Sequence, residues 1–189
     1  MRLVRPRWRL ALCSSCTAAL ALAFVPVAFA AGSGYGGTTP SPSAPPTGFS
    51  SIVTAKTLGV HGGSVKGKVA RGHVTVTVPK GAFRTSLQVA ITGGSSSTVK
   101  KNLPSALAKD RVVAQFGVEL ESGTSPATTT KDVTVTFSSK NIAKGDIVVV
   151  YDQATGKFVK ANATVKAGQV TVHLKAGESI AILAPPHKK

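Results

Sequence analysis

Four His, seven Asp+Glu and two Cys bound the side-chain chemistry open to this 189-residue chain. Cys13 and Cys16 have the C-x-x-C spacing of redox motifs. His61, His73, His173 and His187 show no metal-ligand spacing in sequence. His73 and His173 nevertheless lie on the polar faces of two alternating stretches, and adjacent strands would make them a cross-strand metal pair. Glu119 and Glu121 are two residues apart and project from one face of a strand. A glycosidase needs its two carboxyls facing each other across a bond, so this pair is expected on the surface, pairing with nearby Lys. Asp146 and Asp152 flank one apolar stretch. With so few acids nearby, turn capping is expected of them, not calcium ligation.

The nucleophile and nucleotide motifs are missing. Gly94-Ser95-Ser96-Ser97 lacks the second Gly of a nucleophile elbow, and no Walker loop or dinucleotide fingerprint occurs. No enzyme activity and no cofactor are expected. A small hydrolase or metal-binding protein remains as an alternative, resting on His73 and His173 alone.

Cations outnumber acids, 23 Lys+Arg against 7 Asp+Glu, for a formal charge of +16. Such a surplus attracts polyanions, with a Debye length of about 8 Å at physiological ionic strength. Lys66 and Lys68 alternate with Val65 and Val69 and so share a face. With Lys100, Lys101, Lys157 and Lys160 they are the candidate polyanion contacts. The competing role for scattered Lys is to keep a domain soluble and to blunt its sheet edges. Nucleic acid is not an expected partner, because single-strand binders stack bases on aromatic rings. After Ala30 the aromatics are Tyr35, Phe49, Phe83, Phe116, Phe137, Tyr151 and Phe158, several of them in core phase.

The elements that must position these residues differ along the chain. Residues 1–9 carry Arg2, Arg5, Arg7 and Arg9 and no acid; an apolar run follows, then Pro26 and Ala28-Phe29-Ala30. This is the secretory signal pattern, with cleavage expected after Ala30. Removing its four Arg leaves 19 basic residues against 7 acids, a mature surplus of +12. Both Cys, the one Trp and the one Met leave with the signal, so the mature chain has no thiol and relies on its core. Residues 31–48 are fifteen-eighteenths Gly, Pro, Ser or Thr and read as a disordered linker.

Residues 49–186 have period two. HVTVTV at 73–78, DVTVTF at 132–137 and QVTVHL at 169–174 alternate an apolar face with a mostly Thr face. Further strands are predicted at 52–60, 63–69, 87–92, 111–121, 147–151 and 179–183, and one short helix at 102–109. Val, Thr and Ile supply 46 of the 159 residues after Ala30, and branching at Cβ favours strands. Asp152-Gln153-Ala154-Thr155-Gly156 reads as a hairpin turn. Many short strands at this spacing predict an all-β, antiparallel, Ig-like β-sandwich.

One stretch carries a family likeness. Gly62-Gly63-Ser64-Val65, then Val74 to Val78, then Pro79-Lys80-Gly81-Ala82-Phe83, then Leu87-Gln88-Val89-Ala90-Ile91, resembles the opening of a β-sandwich domain shared by ankyrins, zonula occludens proteins and netrin receptors. Bacterial exported proteins carry similar domains. The likeness covers residues 62–92 and implies a scaffolding role without a catalytic centre. In physical terms Pro79 ends a strand, Gly81 permits a sharp reversal, and Ala82 and Phe83 tuck under the sheet.

The expected organisation is a signal peptide at 1–30, a linker at 31–48, a β-sandwich at 49–186 and a basic tail at 187–189. No sortase motif or second apolar span follows the domain, so a secreted or envelope-associated product without a membrane span is expected. The expected function is a non-catalytic interaction module with a protein or an anionic cell-envelope polymer as partner. The alternative is a polyanion-binding domain proper.

Overall fold

Strands whose side chains alternate Val and Thr gain most when like faces are placed together, and the structure arranges them so. The computed structural model describes residues 48–69 and 71–186, all within the unit Thr39–Lys189. The expected signal peptide, the linker up to residue 47 and the tail at 187–189 lie outside the described residues.

Among the described residues there are twelve strands: β1 (Ser51–Leu58), β2 (Gly63–Val69), β3 (Gly72–Val78), β4 (Leu87–Gly93), β5 (Arg111–Ser122), β6 (Ser125–Pro126), β7 (Thr128–Ser138), β8 (Ile147–Asp152), β9 (Lys157–Lys160), β10 (Ala163–Lys166), β11 (Gln169–Ala176) and β12 (Glu178–Ala184). Five form one sheet in the order β10-β11-β7-β3-β2. The other sheet runs β1-β4-β5-β12-β8-β9, with β6 paired to β5. All pairings are antiparallel. The fold is an all-β antiparallel sandwich.

The three Val-Thr stretches are β3, β7 and β11, the adjacent middle strands of the five-stranded sheet. Their inward positions, Val74, Val76, Val133, Val135, Phe137, Val170 and Val172, are almost fully buried. Opposite them lie Leu87, Ile91, Phe116, Val118, Leu120, Ile180 and Ile182 of the larger sheet. Phe116 and Phe137 stack across the interior with ring centroids 5.5 Å apart. Burying each such side chain contributes roughly 1.5–3 kcal/mol. Phe83 and Ala82 join this core behind Gly81, whose φ is +71°.

The larger sheet breaks the one-wet-face rule. Val149, Ala181 and Leu183 point away from the main core and are also buried. A second apolar cluster covers them, built from Phe49, Phe158, and Val99 and Leu103 of the 94–110 connection. Runs such as IVVVYD in β8 and SIAIL in β12 therefore lack alternation because both of their faces are covered.

That connection corrects the predicted helix at 102–109. The helix is α1 (Ser96–Lys101), followed by a single 3-10 turn at Ser105–Leu107. Asn102 ends α1: its backbone N–H reaches Val99 and its Nδ2 donates to the Thr98 carbonyl at 3.0 Å. Pro104 then disfavours a continuous helix across this point. The short strands β9 and β10 belong to no predicted element. They form one edge of the sandwich, where the chain leaves the larger sheet at Lys160 and enters the smaller at Ala163.

Candidate functional site

Outward positions of the five-stranded sheet fall in register across its width. One row reads Lys68, His73, Ser138, Gln169 and Lys166. The next reads Lys66, Thr75, Thr136, Thr171 and Thr164. A third holds Ser64, Thr77, Thr134 and His173. Neighbours along a row are about 4.8 Å apart and rows about 6.8 Å apart, so the face is a grid of hydroxyls edged by Lys. The period-two pattern produces this grid: most Val turned inward on β3, β7 and β11 leave a Thr turned outward. Among the described residues, no hydrogen bond engages the hydroxyls of Thr75, Thr136 or Thr171.

Beyond the first row, three connections are tied together. Ser139 Oγ donates to the Arg71 carbonyl at 2.6 Å, joining the β7–β8 loop to the β2–β3 hairpin. The Ser139 N–H donates to the Gly168 carbonyl at 3.0 Å, and the Gly168 N–H to the Ile142 carbonyl at 3.0 Å, adding the β10–β11 turn. Ile142 is buried in the main core and anchors this assembly. On it stand Arg71, Lys140 and Lys144, all exposed, beside the exposed Lys68 and Lys166 at the ends of the first row.

The acids are placed elsewhere or turned inward. Asp146 is only 7% exposed, and its Oδ2 accepts the Ala143 N–H at 3.0 Å. Asp110 is equally buried. Glu119, Glu121, Asp132, Asp152 and Glu178 lie toward the opposite end, where β11 passes into β12. Among the described residues the ion pair recorded is Lys175 with Asp132, at 4.0 Å and exposed on both sides. The five loop-end cations thus keep their charge uncompensated, and none of the aromatic rings of the buried cores reaches this face.

Of the six predicted cationic contacts, Lys66 and Lys68 do share the outer face of β2. Lys100 and Lys101 lie in the last turn of α1, over the outer side of the larger sheet. Lys157 and Lys160 are three apart on β9 and project from opposite faces. Those six do not form one patch. Arg71, Lys140 and Lys144 of the loops, and Lys166 at the end of β10, escaped the sequence reading because they are spread over almost a hundred residues; their one local signal is a Lys close to a turn Gly, as in Lys144-Gly145 and Lys166-Ala167-Gly168.

β7 lies between β3 and β11, and His73 faces Ser138 while His173 faces Thr134. Two strand spacings and four residues separate the imidazoles, so they do not share a metal. His173 Nδ1 instead lies 3.4 Å from Thr134 Oγ1. Asp152 caps its turn, accepting the Ala154 N–H at 2.9 Å on Oδ1 and the Thr155 hydroxyl at 2.9 Å on Oδ2. Glu119 and Glu121 pair with no Lys among the described residues. Burial, then the Glu121 charge, raises the Glu119 carboxyl above the usual carboxylate range. Glu178 is pushed up to about 7, first by burial and then by Asp152 across the strand pair.

Neither a scan against protein-family models nor a search of curated proteins returns a match for this chain.

Proposed function

We propose that this protein is an exported, non-catalytic interaction module whose Ig-like sandwich binds an anionic polymer of the cell envelope. One observation carries the reading: three hydrogen-bonded connections present Arg71, Lys140 and Lys144 at one end of the sheet, where the strand residues Lys68 and Lys166 also lie, while both nearby acids are buried. Several cations held on a braced backbone form a phosphate- or carboxylate-binding surface whose loops are already ordered before binding. The arginine-rich start and Ala28-Phe29-Ala30 support export, and the likeness of residues 62–92 to scaffolding domains supports an interaction role.

Retention on an immobilised anionic polymer across a salt series tests this. Retention should fall steadily as salt rises, and the combined Arg71→Gln, Lys140→Gln and Lys144→Gln variant should elute at lower salt. Absent binding, or binding indifferent to salt, rejects the proposal.

A further inference from the structure

We infer that the polymer is a polyol phosphate, laid across the threonine grid with its phosphates toward the cationic loops. This rests on the anionic-polymer reading and adds the chemical class of the ligand and the surface that selects it.

The argument starts from what the face offers. A phosphate needs a cation or an N–H donor, and the loops and row ends supply Arg71, Lys68, Lys140 and Lys166. A polyol hydroxyl both donates and accepts, and so does a threonine hydroxyl. Thr75, Thr136 and Thr171 stand side by side in one row, continuous with the Lys-ended row, and their hydroxyls are taken by no hydrogen bond among the described residues. A chain that alternates phosphates with hydroxylated carbons satisfies both rows together.

The same inventory argues against other polyanions. Nucleic acid and ring-stacking polysaccharides use exposed aromatic rings. Here Phe116 and Phe137 are buried between the sheets, and Phe49 and Phe158 are buried on the far side of the larger sheet. Polyphosphate would engage the cations but leave the hydroxyl row with nothing to pair. The row is also preorganised: β-branched residues on three paired middle strands hold their hydroxyls in few rotamers.

The test compares poly(glycerol phosphate), polyphosphate and single-stranded DNA of matched charge, bound to the purified full chain at fixed salt. Three variants accompany it. Thr75→Val with Thr136→Val and Thr171→Val removes the hydroxyl row and keeps the branched shape. Thr136→Ser keeps the hydroxyl, and Lys140→Gln with Lys144→Gln removes loop charge. Melting curves for each establish folding.

The expected result is preferential binding of poly(glycerol phosphate), lost about tenfold in the triple Val variant but retained in Thr136→Ser, while the weaker polyphosphate binding is unchanged in the Val variant. The Lys variant should weaken both polymers. Equal binding of both phosphates, with no effect of the Val variant, overturns the hydroxyl row and leaves the polyanion reading standing. Tighter binding of DNA overturns it as well. Failure to bind any of the three overturns both. If the triple Val variant does not fold, the single Thr171→Val variant decides the matter by the same comparison.

Discussion

Ser139 Oγ donates a 2.6 Å hydrogen bond to the carbonyl of Arg71, a residue 68 positions earlier in the chain. The same oxygen accepts the Asn141 N–H at 3.3 Å. Ser139, itself only 9% exposed, thus fixes through a single hydroxyl two loops that carry three of the cations at this end.

Ser139→Ala should therefore cost about 1–2 kcal/mol, because it leaves a carbonyl and an N–H without their partner. Urea unfolding measures this. Retention on the anionic polymer should fall too, although no charge has been removed.

Arg71 has φ of 66° and is the one non-Gly residue with positive φ among those described. Arg71→Gly removes about 1 kcal/mol of left-handed strain but adds unfolded-state entropy of similar size, so stability should hold within about 0.5 kcal/mol. Polymer retention should nonetheless drop. A variant that unfolds earlier and binds normally would contradict the role given to this charge.

Glu178 opens β12 between Val118 of β5 and the end of β8, where Asp152 lies across the pair. Its carboxyl sits at about 7 in the fold against an ordinary value of 4.5. Between those values the native state keeps a proton that the unfolded chain has lost. Stability from this group is complete below the lower value and declines as pH rises through the upper one. Glu178→Gln should therefore stabilise the protein at pH 8 by on the order of 2 kcal/mol and change little near pH 4. Thermal melts at both values decide it.

Gly72 begins β3 where another strand is very close. A Cβ there would lie 2.5 Å from the Phe137 ring and 2.6 Å from the Ser138 carbonyl oxygen. The carbonyl belongs to a paired strand and yields little. Gly72→Ala should cost about 3 kcal/mol in chemical denaturation, and an unchanged midpoint would show that the two strands separate more readily than their packing implies.

Much of the sandwich was legible because residues such as Val74, Thr75 and Val76 write their burial into a two-residue period. β2 was bounded from the sequence at the same residues the structure shows. The outer cluster on the larger sheet was not legible. Nothing local to Phe49 or Val99 says that they cover Val149 and Leu183, since that contact joins distant parts of the chain. α1 was missed because Ser96, Ser97 and Thr98 are weak helix formers held in place by Val99 packing inward. The cationic end was hidden for a related reason. Lys68, Lys140 and Lys166 are brought to one end of the sheet, across its width, through strand pairing and loop hydrogen bonds, which no spacing in the sequence encodes. The Lys66 and Lys68 alternation, being local, was readable.

Phe49, fully buried against the outer side of the larger sheet, fixes how the domain is presented. The chain enters through Phe49 on one side of the sandwich, and the threonine rows occupy the other. A surface that held the molecule by the side on which Phe49 packs would leave the threonine rows uncovered, like a tile glued by its reverse.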